Sequence, residues 1–223
     1  MIGEEIKPSQ YLLCHRFNGD YTNLGSLGIT MGGVGAYTIG TKDGKFGGCL
    51  SFAGGGRIDI TENAGLNITD NLFAKFWVKT DGTGNQIILS NLYWTTGVNI
   101  SGFSISATGI GSCALNSGSG PQGAFAVTNI NDSKWHFIVG HHDTTNGGKV
   151  WVDGKLDAIN TTYKSAAGYK AGQKQAFGAW FDYTGSVWTY SNLAIDEFCF
   201  GQRAEPTDAE VRKWFAWSKG KYL

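Results

Sequence analysis

Residues 72–79 read LFAKFWVK and predict a β-strand with two different faces. Side chains alternate between the two sides of a strand, so every second residue shares a face. One face then carries only apolar residues, and the other alternates aromatic residues with lysines. We expect the first face to enter a core and the second to stay partly exposed to solvent. The apolar face is Leu72, Ala74, Phe76 and Val78, and the mixed face is Phe73, Lys75, Trp77 and Lys79.

Short apolar runs separated by glycine-rich turns continue along the whole chain. Their spacing of about eight to twelve residues is typical of an antiparallel β-sandwich or barrel. We expect Gly54-Gly55-Gly56 to turn one hairpin, and Asp153-Gly154 to turn another because both positions of a two-residue turn favour positive φ. Besides 72–79, the expected strands are 11–17, 34–39, 46–53, 57–60, 86–90, 98–107, 124–128, 135–142, 149–153, 174–179 and 193–200.

The chain ends on a different pattern. Pro206 followed by Asp208 and Glu210 is typical of a helix start, because proline suits the first turn and acids favour the helix N-terminus. Apolar residues then recur at helical spacing, which predicts a short amphipathic helix over 206–218 that packs on the sheet. We find no linker or repeat, so residues 1–223 are expected to form one domain.

Composition excludes several classes of function. Among 223 residues, 18 are Lys or Arg and 18 are Asp or Glu, so the formal net charge is zero and no nucleic-acid partner is expected. No run of 18 apolar residues occurs, so membrane insertion is not expected. The opening MIGEEIKPSQYLL lacks the apolar core of a secretory signal.

Five segments in order resemble the laminin G-like branch of the concanavalin A-like lectin-glucanase superfamily. Together they span nearly the whole chain. The resemblance implies an antiparallel jelly-roll β-sandwich with a short C-terminal helix. It does not choose a function, since this fold serves lectins, glycosidases and structural modules alike. The segments are LLCHRFNGDYTN (12–23), GKFGGCLSF (44–52), FWVK (76–79) with ILS (88–90), WHFIV (135–139) with VWVDGK (150–155), and IDEF (195–198) followed by Arg203-Ala204.

Catalytic patterns are missing from the sequence. The β-glucanases of the superfamily carry E-x-D-x-x-E on one strand, and no such spacing occurs here. Asp196 and Glu197 are adjacent, so on a strand they point to opposite faces, whereas a retaining glycosidase needs two carboxyls close together. No G-x-S-x-G elbow is present, and His141-His142-Asp143 is interpreted as an ordinary strand end rather than a metal site. We expect no enzymatic activity.

The resemblance also implies a structural calcium ion. Many superfamily members hold one with a turn carboxylate near the first strand and an acid near the last, and Asp20 and Asp196 occupy the matching places. Oxygen ligands suit Ca²⁺. Each residue also has an explanation without metal: Asp20 capping its own turn, and Asp196 bonding to nearby backbone groups.

Aromatic residues in probable loops are the candidate ligand-binding residues. Exposed aromatic rings with a few polar groups suit a sugar, and tyrosine and tryptophan are also enriched in protein interfaces. The alternative is that these rings only cover the open ends of the sandwich. The candidates are Tyr93, Trp94, Trp180, Asp182, Tyr183 and Trp188.

The four cysteines are far apart and form no C-x-x-C motif. We interpret them as buried thiols. A disulfide between Cys14 and Cys199 is left open, because it requires the first and last strands to pair.

These observations predict a non-catalytic binding or structural module. We expect a bacteriophage virion surface protein, for decoration or attachment, with glycan binding. Its partners would be a glycan or other virion or cell-surface proteins, and a homo-oligomer is left open. A secreted or cell-surface lectin-like module is the alternative, and a polysaccharide-active enzyme ranks below both. The expected location is the virion surface or the extracellular space.

Overall fold

The computed structural model describes residues 7–40, 42–81, 86–90, 100–105, 110–116, 121–164, 175–181 and 186–220. Within them the chain is all-β and antiparallel with one C-terminal helix, as predicted. The strands are β1 (Leu13–His15), β2 (Met31–Gly40), β3 (Cys49–Ile60), β4 (Leu72–Lys79), β5 (Gln86–Ser90), β6 (Ile100–Ile105), β7 (Ile110–Asn116), β8 (Pro121–Asn129), β9 (His136–Asp143), β10 (Gly147–Val152), β11 (Lys155–Asn160), β12 (Gln175–Phe177), β13 (Ala179–Phe181), β14 (Val187–Tyr190) and β15 (Asn192–Gln202), and helix α1 is Asp208–Gly220.

One long strand path curls back on itself. Its order is β11-β10-β9-β4-β15-β3-β12-β5-β6-β7-β8, with β1 added beside β15 and β2 beside β3. The two ends of the path meet, since the Asn160 side-chain amide donates to the Gly123 carbonyl over 2.9 Å. Asp157 on β11 likewise accepts the Val127 backbone N–H over 2.6 Å. The curl encloses the main apolar core.

Strand β4 has both faces buried, so the expectation of a partly wet face is wrong. Leu72, Ala74, Phe76 and Val78 enter the main core, as predicted. Phe73 and Trp77 enter a second apolar cluster that α1 covers with residues such as Val211 and Phe215. The helix therefore turns the mixed face of the sheet into an interior, and even Lys75 is only 4% exposed.

The expected hairpin at Gly54-Gly55-Gly56 is also wrong. Strand β3 runs without a turn from Cys49 to Ile60 and pairs along its length with β2. The register shifts where Ala36 faces Gly55 but Tyr37 faces Phe52, and Gly54 has φ of 79°. Glycine here serves a β-bulge, which is the other structure that a glycine inside a strand favours.

Helix α1 begins and ends two residues later than predicted. Thr207 caps it, because its hydroxyl oxygen accepts the Glu210 backbone N–H over 3.2 Å while the Glu210 carboxylate accepts the Thr207 backbone N–H over 2.8 Å. This reciprocal pair is a capping box. Among the described residues, no helix has the length and apolar character needed to cross a membrane.

Two further local predictions hold, for the turn at Asp153-Gly154 and for three of the four cysteines. Asp153 and Gly154 both have positive φ in the turn between β10 and β11. Cys14, Cys49 and Cys199 are buried free thiols. Strands β1 and β15 pair so that Cys14 lies directly opposite Cys199.

Candidate functional site

Only part of the predicted aromatic site falls within the described residues. Trp180 lies on β13 and is half-buried, and Trp188 lies on the neighbouring β14. The other four candidates, Tyr93, Trp94, Asp182 and Tyr183, lie outside the described residues. The site drawn from these six residues therefore stays a prediction.

A cationic and aromatic cluster surrounds the β13–β14 pair. The Arg57 guanidinium lies 5.5 Å from the centre of the Phe181 ring and donates to the Tyr190 hydroxyl over 3.4 Å. It also forms a two-pronged ion pair with Asp59, with a shortest N···O distance of 2.6 Å. The hydrogen bond that Arg57 donates to Asp59 is the main cause of the raised Arg57 pKa. Arg57 and Asp59, the polar partners of Phe181 and Tyr190, were not predicted from the sequence.

Strand β5 ends beside this pair. The Ser90 hydroxyl donates to the Ala179 carbonyl over 2.6 Å, and both residues are buried. The end of β5 at Ser90 therefore lies against the start of β13.

An open concavity lies along β2. This open groove has a volume of about 960 Å³. Its floor is one face of β2, at Met31, Tyr37 and Ile39, and its wall is the segment 19–30. Gly33 lies between these floor residues, and a Cβ there would meet the Tyr37 hydroxyl at 1.9 Å, so glycine leaves room for the ring. We call this concavity the β2 groove.

The wall of the β2 groove is held rigidly by Asn23. Its side-chain oxygen accepts the backbone N–H groups of Cys14 and Gly25, over 2.8 and 3.0 Å. Its amide donates to the carbonyls of Leu12 and Leu27, over 3.0 and 2.7 Å. Four bonds from one side chain fix the wall against β1, so the groove is a preformed feature.

Polar and aromatic groups converge on the groove. Tyr21 and Tyr37 are half-buried, and Asp20, Thr22 and Thr30 are exposed. Asp20 Oδ1 accepts the Thr22 backbone N–H over 2.9 Å, which orients the carboxylate. From the sequence, Asp20 was expected to bind calcium or to cap its own turn, although the pattern D-Y-T-N already placed an aromatic residue and a hydroxyl beside it.

The two residues proposed for calcium have different surroundings. Asp20 is exposed in its own turn, whereas Asp196 is 1% exposed. Asp196 accepts the backbone N–H groups of Phe46 and Glu197, over 2.9 and 2.7 Å. Burial raises the Asp196 pKa to about 7 in spite of these bonds. Both carboxylates thus have the backbone partners of the metal-free explanation, and calcium at this pair stays a prediction.

Asp196 and Glu197 have separate partners. Asp196 accepts a hydrogen bond from the loop at Phe46. Glu197 has φ of 49° at a bulge in β15, and its carboxylate lies 3.9 Å from the Arg16 guanidinium.

His136 is hydrogen-bonded on both ring nitrogens, to Asp153 and Asp132 over 2.9 and 3.0 Å. His136 thus links the segment before β9, at Asp132, to the turn between β10 and β11, at Asp153.

Comparison with known proteins gives likeness in structure alone. The sequence matches no family model and no curated protein. The binding domain of botulinum neurotoxin DC in complex with SialylT matches with a TM-score of 0.68 and 15% identity, over 96% of this chain and 52% of that one. A structure from work on botulinum neurotoxin type C and two ganglioside molecules matches with a TM-score of 0.68 and 13% identity, over 95% and 52%.

A third structure agrees with these two. The binding domain of botulinum neurotoxin serotype D/C VPI 5993 matches with a TM-score of 0.67 and 16% identity, over 96% of this chain and 53% of that one. The chain spans about half the length of these domains. At such low identity the agreement establishes the fold and no activity, so the chain shares an all-β fold with part of the botulinum neurotoxin receptor-binding domains.

Proposed function

We propose that the chain is a single jelly-roll domain of the concanavalin A-like type and a non-catalytic carbohydrate-binding module that binds a glycan in the β2 groove. The observation that carries this proposal is the groove itself. Its volume of about 960 Å³ lies at the upper end of ordinary small-ligand sites, and an open trench suits an extended ligand.

The lining of the groove matches the chemistry of a sugar. A sugar ring has apolar C–H faces and a rim of hydroxyls. Tyr21 and Tyr37 offer aromatic surface for the faces, and the Asp20 carboxylate accepts hydroxyl protons. Because Asn23 fixes the wall beforehand, binding costs little ordering of the chain.

The structural neighbours support this class of ligand. One neighbour is a complex with SialylT, and another concerns interaction with two ganglioside molecules. A third neighbour was solved in complex with rat synaptotagmin II, a protein partner. These ligands belong to larger domains of which about half matches this chain, and the groove chemistry favours the glycan.

The aromatic residues found from sequence define a second ligand surface in this proposal. Trp180 is half-buried on β13, and the neighbouring Phe181 lies against Arg57, which donates to the Tyr190 hydroxyl. Placement on a virion surface or outside the cell, and a structural calcium at Asp20 and Asp196, remain separate predictions.

A glycan-array screen of the purified chain, with calcium and with chelator, tests the proposal. We expect specific binding that Tyr37→Ala abolishes and that Tyr163→Ala leaves intact. Tyr163 is a matched control because it is 37% exposed and does not line the groove. Binding lost in Trp180→Ala but kept in Tyr37→Ala would move the site to the β13–β14 pair. A blank array in both conditions would contradict glycan binding.

A protein partner is the second candidate function, and strand β2 favours it. This ten-residue strand pairs with β3 and has mostly exposed residues. Exposed sheet edges bind extended peptides by adding a strand. Replacing Thr38, which pairs with Ser51 of β3, by proline would disturb the strand and weaken such a partner.

A further inference from the structure

Three chemically complementary side chains meet at one end of the sheet, away from the β2 groove. His141 and Asp143 lie two residues apart on β9, so they share a face, and Glu205 lies in the segment that leads into α1. One ligand atom from each lies within 4.8 Å of the others. His141 is fully buried and Asp143 is 5% exposed.

His141 is held with one ring nitrogen open. Its Nε2 lies 3.1 Å from the Arg203 carbonyl oxygen, an acceptor, so Nε2 carries the proton and donates. Nδ1 then holds a lone pair. It has no hydrogen-bond partner among the described residues and lies 3.8 Å from Asp143 Oδ2.

This arrangement is typical of metal-binding histidines. A ligating imidazole almost always donates its other N–H to a carbonyl or carboxylate, which fixes the ring and leaves the lone pair pointing at the metal. Here Arg203 supplies that carbonyl. A buried nitrogen without a partner is otherwise costly, so its presence requires an explanation.

Asp143 is also oriented in advance. Its Oδ1 accepts the backbone N–H groups of Thr145 and Asn146, over 2.8 and 2.5 Å, and its Oδ2 accepts the Asn146 side-chain amide over 3.2 Å. The Asp143 carboxylate is therefore fixed beside the open nitrogen.

Glu205 completes the group and already binds a cation. Its Oε1 accepts a short hydrogen bond from the Lys149 ammonium. Both side chains are about one quarter exposed, so Lys149 can swing into solvent when another cation takes its place. Lys149 is then a competitor for the carboxylate.

We propose that His141, Asp143 and Glu205 form a zinc site that displaces Lys149. One imidazole nitrogen and two carboxylate oxygens are ligands that zinc accepts, with water in the fourth position. Neighbouring ligands of a tetrahedral zinc lie about 3.4 Å apart, given bond lengths near 2.1 Å. The 3.8 Å between His141 Nδ1 and Asp143 Oδ2 is slightly longer, so a small shift of these side chains and of the partly exposed Glu205 brings the three ligands to a common zinc.

The site would join two parts of the fold. Asp143 precedes the turn between β9 and β10, whereas Glu205 lies three residues before α1. A metal bound to both would fasten the start of the helix to the sheet. Zinc should then raise the melting temperature of the whole chain, because a ligand that binds only the folded state stabilises it.

Calorimetric titration of the purified chain with zinc chloride tests the site with two opposed variants. Glu205→Gln removes a ligand and should weaken zinc binding by more than about tenfold. Lys149→Met removes the competitor and should tighten it. Both variants lose the same ion pair, so a purely structural role would shift both in the same direction. Weaker binding in Lys149→Met, or unchanged binding in Glu205→Gln, would overturn the proposal.

Two controls separate this site from other zinc-binding groups. His136→Gln removes another histidine that has carboxylate partners, and it should leave the affinity unchanged. Cobalt in place of zinc should give no thiolate charge-transfer band, since no cysteine is a ligand. Binding that follows His136, or a thiolate band, would assign the zinc elsewhere and overturn the proposal. Failure to bind any zinc at a protein concentration that calorimetry can measure would do the same.

Discussion

The indole N–H of Trp151 donates to Oδ1 of Asp208 over 2.8 Å. Trp151 is 1% exposed on β10, and Asp208 is the first residue of α1. The bond therefore joins the interior of the sheet to the start of the helix that covers it. Asp208 also lies where the positive end of the helix dipole favours a carboxylate.

We expect Asp208→Ala to lower the free energy of unfolding by about 1–2 kcal/mol, since a hydrogen bond to a charged acceptor is lost and a mostly buried donor is left open. Asp208→Asn is the matched control, because its side-chain oxygen still accepts the indole proton. Urea denaturation measures both variants. Equal losses in the two would assign the effect to the helix dipole and contradict the role of the Trp151 bond.

The strand and helix patterns were predictable because they are local. The alternation in 72–79 predicted β4 with the bounds that the structure has, and the Pro206 region predicted a helix displaced by two residues. The burial of Lys75 was not predictable, because it depends on α1 docking from the far end of the chain. Gly54 was misread since glycine suits both a turn and a bulge, and only the partner strand decides.

The sites show the same division. His141 and Asp143 have a spacing that places both on one strand face, yet Glu205, 62 residues beyond Asp143, reaches them only through the fold. The β2 groove likewise needs the segment 19–30 laid along β2, a contact that no local pattern encodes.

Lys75 is a buried cation whose removal should stabilise the protein. Its ammonium lies 5.1 and 5.4 Å from the rings of Tyr11 and Trp214, and these contacts favour the charge. Burial nevertheless lowers the Lys75 pKa, so the folded state disfavours the charged form overall. We expect Lys75→Met, which keeps the length and apolar stem, to raise the unfolding free energy at pH 7.

The control for this prediction is Lys75→Ala. It removes the same charge but also leaves a cavity beneath α1, which costs stability. Guanidinium denaturation should therefore rank the methionine variant above the wild type and the alanine variant below the methionine variant. A methionine variant less stable than the wild type would show that the aromatic contacts outweigh desolvation.

His15 should make stability fall in acid. The ring is fully buried, and burial lowers its pKa from 6.5 to about 4. Above pH 6.5 the ring is neutral in both states. Between 6.5 and 4 the unfolded chain binds a proton that the folded chain does not, so stability decreases as the pH falls. The total loss of unfolding free energy across this pH range is on the order of 3 kcal/mol.

Denaturation curves between pH 4 and 7 for the wild type and His15→Asn measure this effect. Asparagine does not titrate and can still donate to the Thr22 carbonyl, which lies 3.2 Å from His15 Nδ1. Loss of ring contacts lowers the stability of the variant at every pH, so the slope is the readout. His136 has a pKa that its hydrogen bond to Asp153 raises, so its effect on stability lies above pH 6.5, outside the range where His15 titrates. Parallel slopes in the two proteins would contradict a neutral buried His15.

Two adjacent glycines test the β2 groove without touching an aromatic ring. A Cβ on Gly33 would lie 1.9 Å from the Tyr37 hydroxyl and 2.0 Å from its ring, whereas a Cβ on Gly32 meets nothing within 4 Å. Gly33→Ala should therefore push the Tyr37 ring off the groove floor and weaken glycan binding. The stability cost should be small, because the far end of a side chain can move.

Gly32→Ala is the control on the same exposed strand. It should keep glycan affinity, and by restricting the unfolded chain it should hold or slightly raise stability, by up to about 1 kcal/mol. Affinity measured on the glycan that the array identifies, together with melting temperatures, compares the two variants. If both keep full affinity, the position of Tyr37 is irrelevant and the glycan binds elsewhere. If Gly33→Ala alone loses affinity while both stay folded, the orientation of Tyr37 in the groove determines binding.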